Sequence, residues 1–175
     1  MMIKIAAAVT LSLIFGVASR AQTARELYSA APASVVGSSA EIVEETSSMI
    51  KLKMSGKSSG EFKLVAQSKG EIIVGLTQSD CDASGVRFWS VKGGKWSDVT
   101  ARVLKSLGKA DVAAIIRASP ATLESLNQTV EIATFYKFAT DSTDLELFAR
   151  KQGSCEAAGR VYNYRFNGKR YEKTK

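Results

Sequence analysis

The sequence predicts an α+β fold: two antiparallel β-meanders joined by a short helical insert. Three observations predict it. Short apolar segments with the strand period of two, separated by Gly-containing turns, fill residues 49–96 and return over 134–171. Between Lys105 and Gln128 the apolar spacing becomes helical. The two strand-rich stretches also match each other, each carrying one Cys in a Cys-acid-Ala-small-Gly pentapeptide.

The chain opens with Lys4 ahead of an uncharged run over residues 5–17, then Ser19-Arg20-Ala21. That run is shorter than the about 20 residues a membrane span requires, and small residues follow it. Residues 1–21 are therefore expected to be a secretory signal peptide, cleaved after Ala21, with Ala18 as the second choice. Residues 22–47 read as a leader that is poorly ordered or partly helical. Thr23 to Tyr28 starts a short helix that Pro32 stops, and residues 41–45 read as solvated acidic surface. A single α+β domain is expected over 48–175.

Strands follow in order. Residues 49–54 alternate, and residues 62–65 and 71–76 flank Ser68-Lys69-Gly70 as a hairpin. Residues 86–91 and Lys95-Trp96 flank Gly93-Gly94, whose glycines supply the positive φ angles of a tight turn. In the insert, about 105–128, Val112, Ile115 and Ile116 share a face of a helix opened by Asp111. Pro120 ends it and begins another through Leu123 and Leu126. Strands resume at Val130, and residues 134–138 and 145–148 flank a polar turn over 140–144. Asn167-Gly168 then closes a last hairpin between residues 161–166 and 169–171.

The two halves, about 61–97 and 134–172, read as a pseudo-repeat. Cys81-Asp82-Ala83-Ser84-Gly85 aligns with Cys155-Glu156-Ala157-Ala158-Gly159, and after one inserted residue Trp89 meets Tyr164 and Trp96 meets Tyr171. After export, the even pair Cys81 and Cys155 predicts a disulfide. Two cysteines without any histidine leave too few ligands for zinc, so neither a metal nor a cofactor is expected.

Loss of Lys4 and Arg20 with the signal peptide lowers the net charge from +7 to +5. The last sixteen residues hold that whole excess. Arg160, Arg165, Lys169 and Arg170 form a candidate anion-binding patch on the closing hairpin, suited to an anionic envelope surface or polymer. Phe88, Trp96, Tyr164, Phe166 and Tyr171 interleave with basic residues. An exported chain meets little nucleic acid, and these aromatics read as core, so no nucleic-acid partner and no transmembrane anchor are expected.

The absence of histidine removes the usual general base and the Ser-His and Cys-His pairs. No phosphate-binding Gly loop or Gly-x-Ser-x-Gly elbow occurs. Catalytic residues are thus not assigned. The function expected is an exported, extracytoplasmic, non-enzymatic binding or envelope-associated domain. The alternative is a small carboxylate-dependent envelope hydrolase built on Asp80, Asp82 and Glu156 near the bridged cysteines.

Overall fold

The computed structural model describes residues 21–37, 40–81, 83–119, 133–151 and 154–174. Residues 1–20, where the signal peptide is expected, Asp82, and residues 120–132, which include the second part of the expected helical insert, lie outside the described residues.

Helix α1 (Ala24–Ala30) begins with a capping box: Thr23 Oγ1 accepts from the Glu26 N–H, and the Glu26 carboxylate accepts from the Thr23 N–H. Pro32 then introduces α2 (Ala33–Val36). Strands β1 (Glu41–Glu45), β2 (Met49–Lys53), β3 (Ser59–Ser68), β4 (Glu71–Ser79), β5 (Ser84–Lys92) and β6 (Lys95–Asp98) form a six-stranded antiparallel sheet in chain order. Helices α3 (Thr100–Val103) and α4 (Lys109–Ala118) follow. A second, four-stranded antiparallel sheet comprises β7 (Thr134–Phe138), β8 (Leu145–Arg150), β9 (Ala157–Phe166) and β10 (Tyr171–Thr174), again with chain neighbours paired. The described chain is thus mostly antiparallel β, with a few short helices.

Strand alternation explains how the first sheet is buried on both faces. On one face, Ile50, Leu52, Phe62, Val74, Leu76, Trp89 and Val91 pack against Ala24 and Leu27 of α1 and Val35 of α2. On the other, Met49, Ile73 and Phe88 meet Phe138, Leu145, Leu147, Tyr164 and Tyr171 of the second sheet. At Gly75 the Phe138 ring of the second sheet and the Phe88 ring of β5 close over β4. A Cβ there would stand 2.5 Å from the Phe138 ring and 2.8 Å from the Phe88 ring. Ile115 of α4 seats against Ala133 and Ala149, and this small cluster shares Leu107 and Val161 with the inter-sheet core.

The short helix expected after Thr23 is α1, and three local expectations are extended or altered. The leader 22–47 supplies two helices and a strand to the fold, because Ala24, Leu27 and Val35 bury apolar surface on the sheet. The acidic cluster 41–45 is strand β1, held by pairing with β2 and by Glu44–Lys51 (2.7 Å) and Glu41–Lys53 (4.0 Å) ion pairs. The closing Asn-Gly turn is a four-residue loop. Only Gly168 has positive φ there, and the Asn167 side chain accepts from the N–H groups of Lys169 and Arg170 at 3.0 Å each. By contrast, both Gly93 and Gly94 have positive φ, as the tight turn between β5 and β6 requires. Helix α4 starts two residues before Asp111, whose carboxylate accepts from the Gly108 N–H at 2.7 Å.

Candidate functional site

Several crosslinks gather at one end of the two sheets. Cys81, in the β4–β5 loop, is bonded to Cys155, in the β8–β9 loop. Arg150 closes β8 and is 2% exposed. Its guanidinium donates to the Asp80 carbonyl, to Ser79 Oγ at 3.0 Å, to the Ala83 carbonyl at 3.2 Å and to the Thr134 carbonyl at 3.4 Å. It also lies over the Phe135 ring, 5.3 Å from the centroid. Ser84 Oγ donates to the Thr134 carbonyl as well. The β4–β5 loop is therefore clamped to the second sheet by a covalent bond and by a buried cation.

The clamped loop borders a cleft. Helices α1 and α2 cover only part of the outer face of the six-stranded sheet. Beyond Val35 the face opens over Leu76, Gln78, Gly85 and Arg87, which pairing sets side by side, Gln78 opposite Gly85 and Leu76 opposite Arg87. The cleft holds about 520 Å³ and is walled by α2, by the turn carrying Met54, Ser55 and Ser58, and by Asp80 and Ala83 of the clamped loop. Such a volume lies within the range of small-molecule sites. Its floor grades from apolar Trp89 and Leu76, both mostly buried, to exposed Gln78 and Arg87. Gln78 Nε2 reaches Met54 Sδ at 3.9 Å. Arg87 forms no ion pair among the described residues. A second cleft of about 770 Å³ lies toward α3 and shares Ser84, Gly85 and Arg87 with the first.

The basic residues of the closing hairpin are distributed differently from the predicted patch. Arg160 pairs with Glu146, Arg165 with Asp144 at 3.8 Å, and Arg170 with Glu172 at 3.1 Å. Of the four, only Lys169 has no carboxylate partner among the described residues. Lys173 joins Asp111 and stands 4.3 Å over the Tyr162 ring. Burial works to raise the Asp111 carboxyl, but the Lys173 ammonium and the Gly108 N–H outweigh it and hold it below its ordinary range. The charge excess that is local in sequence is thus largely neutralised in space, by acids from the β7–β8 loop, β8 and α4.

The two described candidate carboxylates are each engaged locally. The Asp80 side chain accepts from the Ala83 N–H at 2.6 Å, within its own loop. Glu156 pairs with Lys151 at 2.6 Å, which holds its carboxyl below the usual range. Asp82 lies outside the described residues. The raised carboxyl is another one, Glu61, pushed up by burial between the sheets, where it accepts from the Phe138 N–H at 2.6 Å. Among the described residues, no group of three or more His, Cys, Asp or Glu side chains is placed to hold a metal ion.

The interleaved aromatics are core. Phe88, Tyr164 and Tyr171 are buried between the sheets, Phe166 packs beside them and Trp96 packs on the opposite face. The Phe88 and Tyr171 rings lie 5.3 Å apart, as do those of Phe166 and Tyr171. Burial also drives the Tyr136 hydroxyl up to about 12.

Sequence reasoning missed two buried cations. Lys63 is 1% exposed and donates to the carbonyls of Ala139 and Thr140, both at 3.1 Å, and to Ser48 Oγ at 3.5 Å. Burial lowers its affinity for the proton. Arg150 is the other. Both occupy positions where a strand of alternating pattern displays an ordinary surface cation, and nothing local in sequence distinguishes them.

Among the described residues no helix is long and apolar enough to cross a membrane. No protein-family model matches the chain, and comparison with curated proteins and with solved structures gave no match.

Proposed function

We propose that the chain is an exported, extracytoplasmic, non-enzymatic binding domain associated with the cell envelope, and that its ligand is an anionic surface or polymer. In this reading residues 1–21 are a signal peptide and the mature chain starts at Gln22. The observation that carries it is the Cys81–Cys155 disulfide, which joins loops of two different sheets and suits an oxidising compartment. The positive charge excess and Arg87, which has no ion pair among the described residues, favour an anionic ligand. The carboxylate-hydrolase alternative loses support, because Asp80 and Glu156 are each engaged locally.

The pseudo-repeat belongs to the same reading. It is supported by the closing hairpins: Trp89 pairs with Asp98 and Val91 with Trp96, while Tyr164 pairs with Lys173 and Phe166 with Tyr171, all at one constant offset. The cysteine-bearing loops differ in length between the halves, so the likeness is strongest in the hairpins.

Export and binding are tested together. The protein recovered from the extracytoplasmic fraction should start at Gln22. At low ionic strength it should be retained on both anionic vesicles and an acidic polysaccharide matrix, and released by salt, since exposed charges are screened beyond about 8 Å at physiological ionic strength. An intact Met1 start, or no retention on either support at low salt, overturns the reading.

A further inference from the structure

We propose that the cleft between α2, the β2–β3 turn and the clamped β4–β5 loop is a binding site for an acidic saccharide, whose carboxylate is taken by the Arg87 guanidinium. The inference rests on the binding reading above and names its site and ligand class. It also moves the anion site away from the closing hairpin, where Arg160, Arg165 and Arg170 already face carboxylates.

Three features of the cleft carry it. First, Arg87 is exposed, projects from a strand rather than a loop, and forms no ion pair among the described residues. A guanidinium presents a planar fork that matches a carboxylate bidentately, and its planarity lowers the entropy lost on binding. Second, the surrounding polar lining is mostly hydroxyls and an amide, including Ser34, Ser55, Ser58 and Gln78, and its one carboxylate, Asp80, is turned to the Ala83 N–H of its own loop. Such groups both donate and accept, as does every sugar hydroxyl, whereas a purely apolar anion would leave them unpaired. Third, the floor is open where a ring must sit. Gly85 lies opposite Gln78 and next but one to Arg87, and a Cβ on it would meet nothing within 4 Å. The 520 Å³ of space is enough for a short saccharide, and the adjoining 770 Å³ cleft, which shares Gly85 and Arg87, lets a chain continue past β5.

Gly85 provides the decisive variant. Its φ is not in the left-handed region, so a side chain there brings no backbone strain and projects into the cleft. Titration calorimetry of the oxidised mature protein with a trigalacturonate probe should show binding. The methyl ester of that probe, which lacks the charge, should bind at least tenfold more weakly. Arg87→Ala should weaken trigalacturonate binding at least tenfold, and Gly85→Phe should abolish it. The hairpin variant Arg165→Ser/Lys169→Ser/Arg170→Ser should bind as wild type. Circular dichroism and the thermal midpoint check that each variant folds, and Arg87→Ala, an exposed change, carries the test if Gly85→Phe fails to fold. If wild-type protein binds the probe and both cleft variants bind equally well, the cleft is not the site. If the hairpin variant alone loses binding, the site is the hairpin. If the probe does not bind while anionic vesicles retain the protein, the saccharide assignment fails and the broader anionic reading survives. Failure of both supports at low salt removes that reading as well.

Discussion

Lys63 is an ammonium at 1% exposure with three oxygen acceptors and, among the described residues, no carboxylate in ion-pair contact. It reaches from β3 in one sheet to the β7–β8 loop beneath the other. Burying a cation is costly, and the hydrogen bonds to the Ala139 and Thr140 carbonyls offset that cost. Replacing it with an apolar side chain of similar length relieves the buried charge but frees two carbonyls. Ala139 is half-buried and Thr140 exposed, so water can reach the freed carbonyls, and Lys63→Met is expected to lower stability by at most about 1 kcal/mol. Urea unfolding gives the value, and a clearly larger loss would show that water does not replace the ammonium at the two carbonyls. Arg150 works by the same logic at the opposite end, with four contacts to three elements. The residue scale is where the sequence was least legible. A cation in an alternating strand reads as solvent-facing, and only the second sheet, distant in sequence, reveals these two as interior.

At the scale of elements, most strands were legible because alternation and turn chemistry agreed. Residues 134–138 coincide with β7, and the Gly93-Gly94 turn adopts the predicted conformation. Strand β1 was not legible, since its exposed face of glutamates carries no apolar period and its partners are lysines on β2. The cysteine pair was visible as a site feature, but the cleft was not. Arg87 and Gln78 are ordinary strand residues until one knows that α2 stops short of them. The packing of one strand on the other sheet yields a sharper test. Gly75 sits where Phe88 and Phe138 rings close over β4, so Gly75→Ala places a methyl within van der Waals overlap of both rings. Overpacking of this kind costs about 1–3 kcal/mol. The variant should unfold at lower urea concentration with an unchanged slope, and equal stability would mean that the rings rotate away freely.

Over the whole molecule, the six-stranded sheet is the middle layer, with helices on one face and the second sheet on the other. Each sheet is held internally by pairing between chain neighbours, so the disulfide acts between sheets. It spans 74 residues of sequence. In the chain-entropy view such a closure stabilises by about 4 kcal/mol. The Cys81→Ser/Cys155→Ser variant should therefore lose about that much in urea unfolding, and wild-type protein in reductant should match it. Equal midpoints for oxidised and reduced protein would mean that Arg150 and the inter-sheet core suffice without the bond.

The chain-order meanders also set a timetable for a chain that emerges amino end first. Every strand of the first sheet pairs with one already present, so that sheet can be complete once Asp98 is free. Local pairing of this kind closes quickly. Cys81 then waits as a lone thiol until Cys155, between the second and third strands of the other sheet, arrives. It has no other cysteine to choose, since none is left over. With a single possible partner in the chain, the pairing cannot be scrambled internally, and the bond, once made, ties the late-arriving sheet covalently to the early one.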